Sequence, residues 1–170
     1  IVPESMPDST ATDDSLQKVK DKKVFVLGLD DSFPPMGYRD VDSGDIIGYD
    51  IDLAKEVCSR MGVELKLQPI DWDYKEAELN EGTIDCIWGS FSIDGREEEY
   101  RWSAPYMMSR QVVAVNRDSE IKTLADLEGK RIAVQSTTKP EELFLNAEQN
   151  GLPRLRRLYS LQNRDLLYTT

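Results

Sequence analysis

The side chains best suited to chemistry fall in four short stretches rich in turn-forming residues. Arg96 closes GSFSIDGR (Gly89–Arg96), which also carries the hydroxyls of Ser90 and Ser92. A guanidinium fork holds a carboxylate through two parallel hydrogen bonds. Asp30 and Asp31 stand just before Phe33, which Pro34 and Pro35 follow. Trp72 lies between Asp71 and Asp73. Thr138 falls within QSTTKPEE (Gln135–Glu142), where a strand pattern gives way to a helix pattern. Unpaired N–H groups at a helix start attract anions. Two devices for a carboxylate and two aromatic walls describe a pocket for a small zwitterion. Each element also has a plainer reading. Phe33 and Trp72 suit a core, Arg96 could pair with Glu97, Glu98 and Glu99 at the surface, and Thr138 could serve only as a cap.

Composition narrows the alternatives. The 170 residues carry a net charge of −11, which repels nucleic acid and anionic membrane surfaces. Histidine is absent, so histidine catalysis and histidine metal ligation within this chain are excluded. The two cysteines, Cys58 and Cys86, cannot build a zinc site and read as buried free thiols, with a disulfide as the alternative. No metal constellation, cofactor motif or nucleophile–base pair is visible, so the chain reads as a binding protein and not an enzyme. No apolar run reaches the ~18 residues of a membrane span.

Those stretches need elements to position them. Residues 1–22 read as a flexible leader, rich in Ser, Thr, Asp and Pro at its start. Strands are predicted at Val24–Gly28, Glu64–Gln68, Ile84–Trp88, Gln111–Val115, Arg131–Gln135 and Leu155–Tyr159. Asp30–Gly48 reads as loop, with a hairpin as the alternative. Helices are predicted at Asp50–Met61, with Ile51, Ala54, Val57, Cys58 and Met61 on one face, at Tyr74–Asn80, and at Pro140–Asn150. Thr138 would be the N-cap of the last, and Glu141 its capping-box partner. Leu124–Leu127 reads as a helical turn and Arg164–Thr170 as a final helix. Strand–helix alternation implies an α/β fold with a mainly parallel sheet, whose ligands sit at the carboxyl ends of strands. All four stretches named above lie there.

The order of these stretches resembles the extracytoplasmic solute-binding proteins, family 3, of polar amino-acid ABC importers. The most specific part is Gly48-Tyr49-Asp50-Ile51-Asp52-Leu53, followed by Val57, Cys58 and Met61. FPPMGY (Phe33–Tyr38), TIDCIWGSFS (Thr83–Ser92), REEEYRWSAPY (Arg96–Tyr106) and LADLEGKRIAVQSTT (Leu124–Thr138) support it. The resemblance implies a periplasmic-binding-protein type 2 fold of two lobes closing on an amino acid. Residues 23–113 would form the first segment of lobe 1, and 114–170 a hinge near Val113–Asn116 and an incomplete lobe 2. It also implies the ligand set. Asp30, Phe33 and Trp72 would belong to the first-lobe pocket, Ser90 and Ser92 would receive the α-amino group, and Arg96 and Thr138 would hold the α-carboxylate. The loop from Ser92 to Arg96 is one residue shorter than in many members.

By the same resemblance the chain is expected to be the binding component of an ABC importer, handing its ligand to a membrane permease. It would be extracytoplasmic, with a signal peptide and lipid anchor in the precursor. A sensor ectodomain and a dehydratase on the same fold are the alternatives. A chain that lacks the rest of lobe 2 is expected to self-associate.

Overall fold

The computed structural model describes residues 13–162 and 166–169. Helix α1 (Ser15–Lys22) falls inside the stretch read as leader, of which residues 1–12 lie outside the described part. An ion pair from Lys18 to Asp14 at 2.8 Å supports its first turns, Val19 is its buried contact, and Lys23 ends it in the left-handed conformation. A single buried apolar residue is too weak a period to read from sequence.

Strand β1 (Val24–Leu29) is followed by β2 (Ser32–Phe33), β3 (Gly37–Arg39) and β4 (Ile46–Ile47), then α2 (Tyr49–Met61) and β5 (Glu64–Pro69). A 3-10 turn, Trp72–Tyr74, leads into α3 (Lys75–Glu81), and β6 (Cys86–Ile87) follows. β1 is central, with β5 and β6 parallel on either side, while β2, β3 and β4 form a separate antiparallel meander where the sequence reads as loop.

The first core lies between this parallel sheet and α2. Leu27, Leu29, Ile51 and Ala54 are fully enclosed, with Phe25, Leu65, Leu67 and Trp88 packed around them. The buried stripe of α2 is Asp50, Ile51, Ala54 and Cys58, so the predicted face is rotated toward Asp50 and away from Val57, which is exposed. Gly48 makes the entry to α2 possible. Its φ is 136°, and a Cβ there would stand 2.3 Å from the Met36 carbonyl oxygen.

Beyond residue 103 the chain is less regular. The strand expected at Gln111–Val115 is not formed. Its residues are exposed, and no described segment offers them a ladder, without which an apolar run stays an irregular length of chain. The 3-10 turn at Leu124–Leu127 is present, and a capping box forms there between Thr123 and Asp126. β7 (Arg131–Gln135) pairs in parallel with β8 (Arg157–Leu161) across α4 (Lys139–Leu145). The α4 helix stops at Leu145, short of the predicted Asn150, and Glu141 does not complete a capping box with Thr138. Its carboxylate instead accepts the Thr137 N–H at 2.7 Å, and the Thr138 hydroxyl donates to the Gln135 carbonyl at 2.6 Å. Of the predicted final helix, Leu166–Thr169 is helical and residues 164, 165 and 170 lie outside the described part.

Candidate functional site

The site is built where β1, β5 and β6 end and where β7 runs into α4. After β1, Asp30 turns back on its own loop, one carboxylate oxygen accepting the Ser32 N–H (2.9 Å) and hydroxyl (2.6 Å). Asp31 is neutralised by Arg39 at 2.6 Å. Phe33, half-buried in β2, accepts the Met36 N–H on its carbonyl. After β5, Asp71 caps the 3-10 turn by accepting the Asp73 N–H, and Trp72 is buried.

After β6 comes the Gly89–Arg96 loop. Ser90 has φ 53°, and its hydroxyl donates to the buried Asp50 carboxylate at 3.2 Å, whose other oxygen accepts the Tyr106 hydroxyl at 2.8 Å. Asp50 is in the first turn of α2, where a negative charge meets the positive end of the helix. The Ser92 hydroxyl, half-buried, makes no hydrogen bond among the described residues.

Arg96 is the most unusual charge in this loop. Its side chain is only 12% exposed, and its guanidinium lies 5.1 Å from the centre of the Phe91 ring. Its nearest carboxylate oxygens, on Glu99 and Glu142, are both at 3.9 Å, beyond hydrogen-bond reach, and Glu142 is held more closely by Lys139 at 2.9 Å. Of the three glutamates offered by the sequence, Glu99 does pair with Arg96, but at 3.9 Å the pair is a loose one without a hydrogen bond. Phe91, which the sequence does not single out, is the hub: its ring meets Trp72 edge-on at 5.3 Å, Tyr100 at 5.2 Å and Trp102 at 5.3 Å. The indole of Trp102 in turn donates to the Arg96 carbonyl at 2.9 Å, which holds the loop's end.

The β7–α4 junction reaches across to the first region. Gln135 donates to Asp30 at 2.8 Å, and one oxygen of Asp73 accepts both the Ser136 hydroxyl (2.8 Å) and the Thr137 hydroxyl (3.1 Å). Thr138, the predicted contact, is half-buried with its hydroxyl turned to Gln135. Between the two sides lies a cleft of about 220 Å³, lined by Asp30, Asp31, Ser32, Ile70, Asp71, Trp72, Gln135 and Gln162. A larger hollow of about 760 Å³, lined among others by Leu79, Cys86, Tyr100 and Arg101, takes in none of the predicted binding residues.

Asp30 and Trp72 thus line the cleft, and Arg96 reaches Trp72 through the intervening Phe91 ring. Gln135, Ser136 and Asp73 lie in stretches the sequence picks out, but their contacts with one another carry no sequence signal, because only the fold brings residues so distant in the chain together. The two thiols are free, Cys58 buried in α2 and Cys86 half-buried. Burial pushes both upward, Cys86 to about 12, so neither is a nucleophile at neutral pH. Among the described residues no group of His, Cys, Asp and Glu could hold a metal ion, and no helix is long and apolar enough to cross a membrane.

The model of the bacterial extracellular solute-binding proteins, family 3, matches residues 25–165. The chain belongs to this family. Family members similar to it include the L-cystine-binding protein TcyJ of Escherichia coli K12, 34% identical over 137 residues, covering 79% of this chain and 51% of TcyJ. The crystal structure of Tv2483 bound to L-arginine superposes with a TM-score of 0.84 at 34% identity, over 92% of this chain and 64% of that one. A substrate-binding protein of an ABC uptake transporter from Streptococcus pneumoniae, with bound histidine, gives 0.84 at 32% identity, over 94% and 65%. The fold is the mixed α/β periplasmic-binding-protein type 2 fold. The chain spans about half the length of the curated family members it matches.

Proposed function

We propose that this chain supplies the larger part of a cleft that captures an amino acid outside the cytoplasmic membrane for the permease of an ABC importer. The observation that carries the reading is Arg96: a nearly enclosed guanidinium, stacked on Phe91, whose two ion pairs, to Glu99 and Glu142, are both long at 3.9 Å, so that a carboxylate brought closer can take its hydrogen bonds. Such a group needs an anion, and an α-carboxylate fits its fork. Ser92, with its unengaged hydroxyl, and Ser90 lie on the same loop and are suited to the α-amino end. Phe33 and Thr138, which the family resemblance also implies, stand next in sequence to Ser32 and close after Gln135, two residues of the cleft lining, and do not line it themselves.

The other end of the cleft favours a cationic side chain. Asp30 and Asp71 line it and Asp73 adjoins it, and among the described residues none of the three is in an ion pair within 4 Å. The bound arginine and histidine of the two similar structures agree with this preference. The test is calorimetric titration of the whole protein with L-arginine, L-histidine, L-cystine and L-glutamate. Tight binding of the first two and none of L-glutamate is the expected result. Binding of L-glutamate alone would overturn the cationic preference, and binding of none would overturn the amino-acid reading itself.

A further inference from the structure

Lys75 is out of place by every ordinary rule. It is 4% exposed, yet it forms no ion pair with any described carboxylate. Its one hydrogen bond goes to the Trp72 carbonyl at 3.1 Å. It opens α3, where the helix dipole disfavours a positive charge. A lysine that served only packing would do better as methionine, which has a stem of similar length and no charge to desolvate.

Its surroundings explain why the charge is there. The ammonium lies 5.3 Å from the centre of the Trp72 ring and 5.9 Å from that of Phe91. Arg96 is 5.1 Å from the same Phe91 ring. Two cations therefore share one aromatic ring, and each raises the cost of burying the other unless an anion joins them. Burial first lowers the Lys75 ammonium below the ordinary lysine range and Arg96 pushes it the same way, against the upward pull of Glu76, Asp73 and Glu99.

We propose that Lys75 is a positioning residue of the binding cleft: its buried ammonium anchors the Trp72–Phe91 ring pair on which Arg96 lies and adds a second positive charge to the end that receives the ligand's carboxylate. This rests on the amino-acid reading above. It predicts a split between stability and binding, because the charge is costly in the empty protein and useful in the loaded one.

The experiment uses the whole protein with Lys75→Met and Lys75→Arg, each melted without ligand and then titrated with L-arginine, L-histidine and L-cystine. Lys75→Met is expected to melt at or above the wild-type temperature and to bind about tenfold more weakly. Lys75→Arg, which restores the charge, is expected to recover to within about threefold. Unchanged affinity in Lys75→Met overturns the proposal and leaves the amino-acid reading intact. A lowered melting point in Lys75→Met, with both variants equally weakened, also overturns it, since shape and not charge would then be at work. If the wild type binds none of the three, the amino-acid reading falls and takes the role of Lys75 with it.

Discussion

Residues 24–91 and residues 103–161 differ in where their apolar side chains go. In the first stretch Leu27, Leu29, Ile51 and Ala54 are enclosed between a three-stranded sheet and α2, and Ile84 is buried against Gly28 of β1. In the second only Leu127 and Val134 are, α4 buries no residue, and Met108 and Val112 are almost fully in solvent. The first region has a core of its own. The second is held at the cleft by polar contacts, from Gln135 to Asp30 and from Ser136 and Thr137 to Asp73. Polar contacts exchange readily with water, so they locate a region without contributing much to its stability.

That contrast can be broken most forcefully in the core. Ile51→Ala should cost about 4 kcal/mol of unfolding free energy, as a large-to-small change at a fully enclosed site does. Urea denaturation followed by tryptophan fluorescence measures it. Leu127→Ala, equally buried but with few apolar neighbours, should cost less than half as much, and equal losses would erase the distinction between the regions. Next in size is Arg96→Ala, expected to weaken amino-acid binding by about 3 kcal/mol while leaving the melting point of the empty protein almost unchanged. Titration calorimetry beside thermal melting separates the two effects.

A smaller effect is expected at the polar seam. Asp73→Asn weakens both hydroxyl contacts from Ser136 and Thr137 and should cost about 1 kcal/mol. Hydrogen exchange should show the loss in β7 and α4 and not in β1 or β5. The smallest is a pH effect at Tyr106. Burial first, and then its hydrogen bond to Asp50, push its hydroxyl up to about 12. The folded protein therefore keeps this proton longer than the unfolded chain, whose tyrosines titrate near ~10. The stabilisation is complete below about pH 10 and is lost as pH rises toward 12. Tyr106→Phe should flatten that part of the alkaline melting curve, and an unchanged slope would show that the Tyr106–Asp50 hydrogen bond does not hold this proton.

The parts of this molecule legible in its sequence are those with local periodicity. Strict alternation in Glu64–Gln68, the apolar run at Val24–Gly28 and the spacing of Ile51, Ala54 and Cys58 each predict an element that is present. Gln111–Val115 has an apolar run of the same kind and forms no strand, because a ladder depends on a neighbour the pattern cannot name. The site divides in the same way. Asp30, Trp72 and Arg96 are visible as unusual residue types at strand ends. Phe91 and Lys75 are not, since one looks like ordinary apolar filling and the other like a solvated helix charge. Only the ring contacts and the burial reveal them.

The Asp50 carboxylate has a consequence for the timing of order in the cleft. Ser90 occupies a left-handed backbone conformation at φ 53°, unfavourable for a residue with a Cβ by about 1–3 kcal/mol. The hydrogen bond from its hydroxyl to Asp50, a carboxylate itself fixed by α2 and Tyr106, holds that conformation in the empty protein. The loop carrying Ser92 and Arg96 is thus shaped when the chain folds, before any ligand arrives. On the reading proposed above, a ligand would meet a loop already shaped, and the cost of ordering that loop would not be subtracted from its affinity.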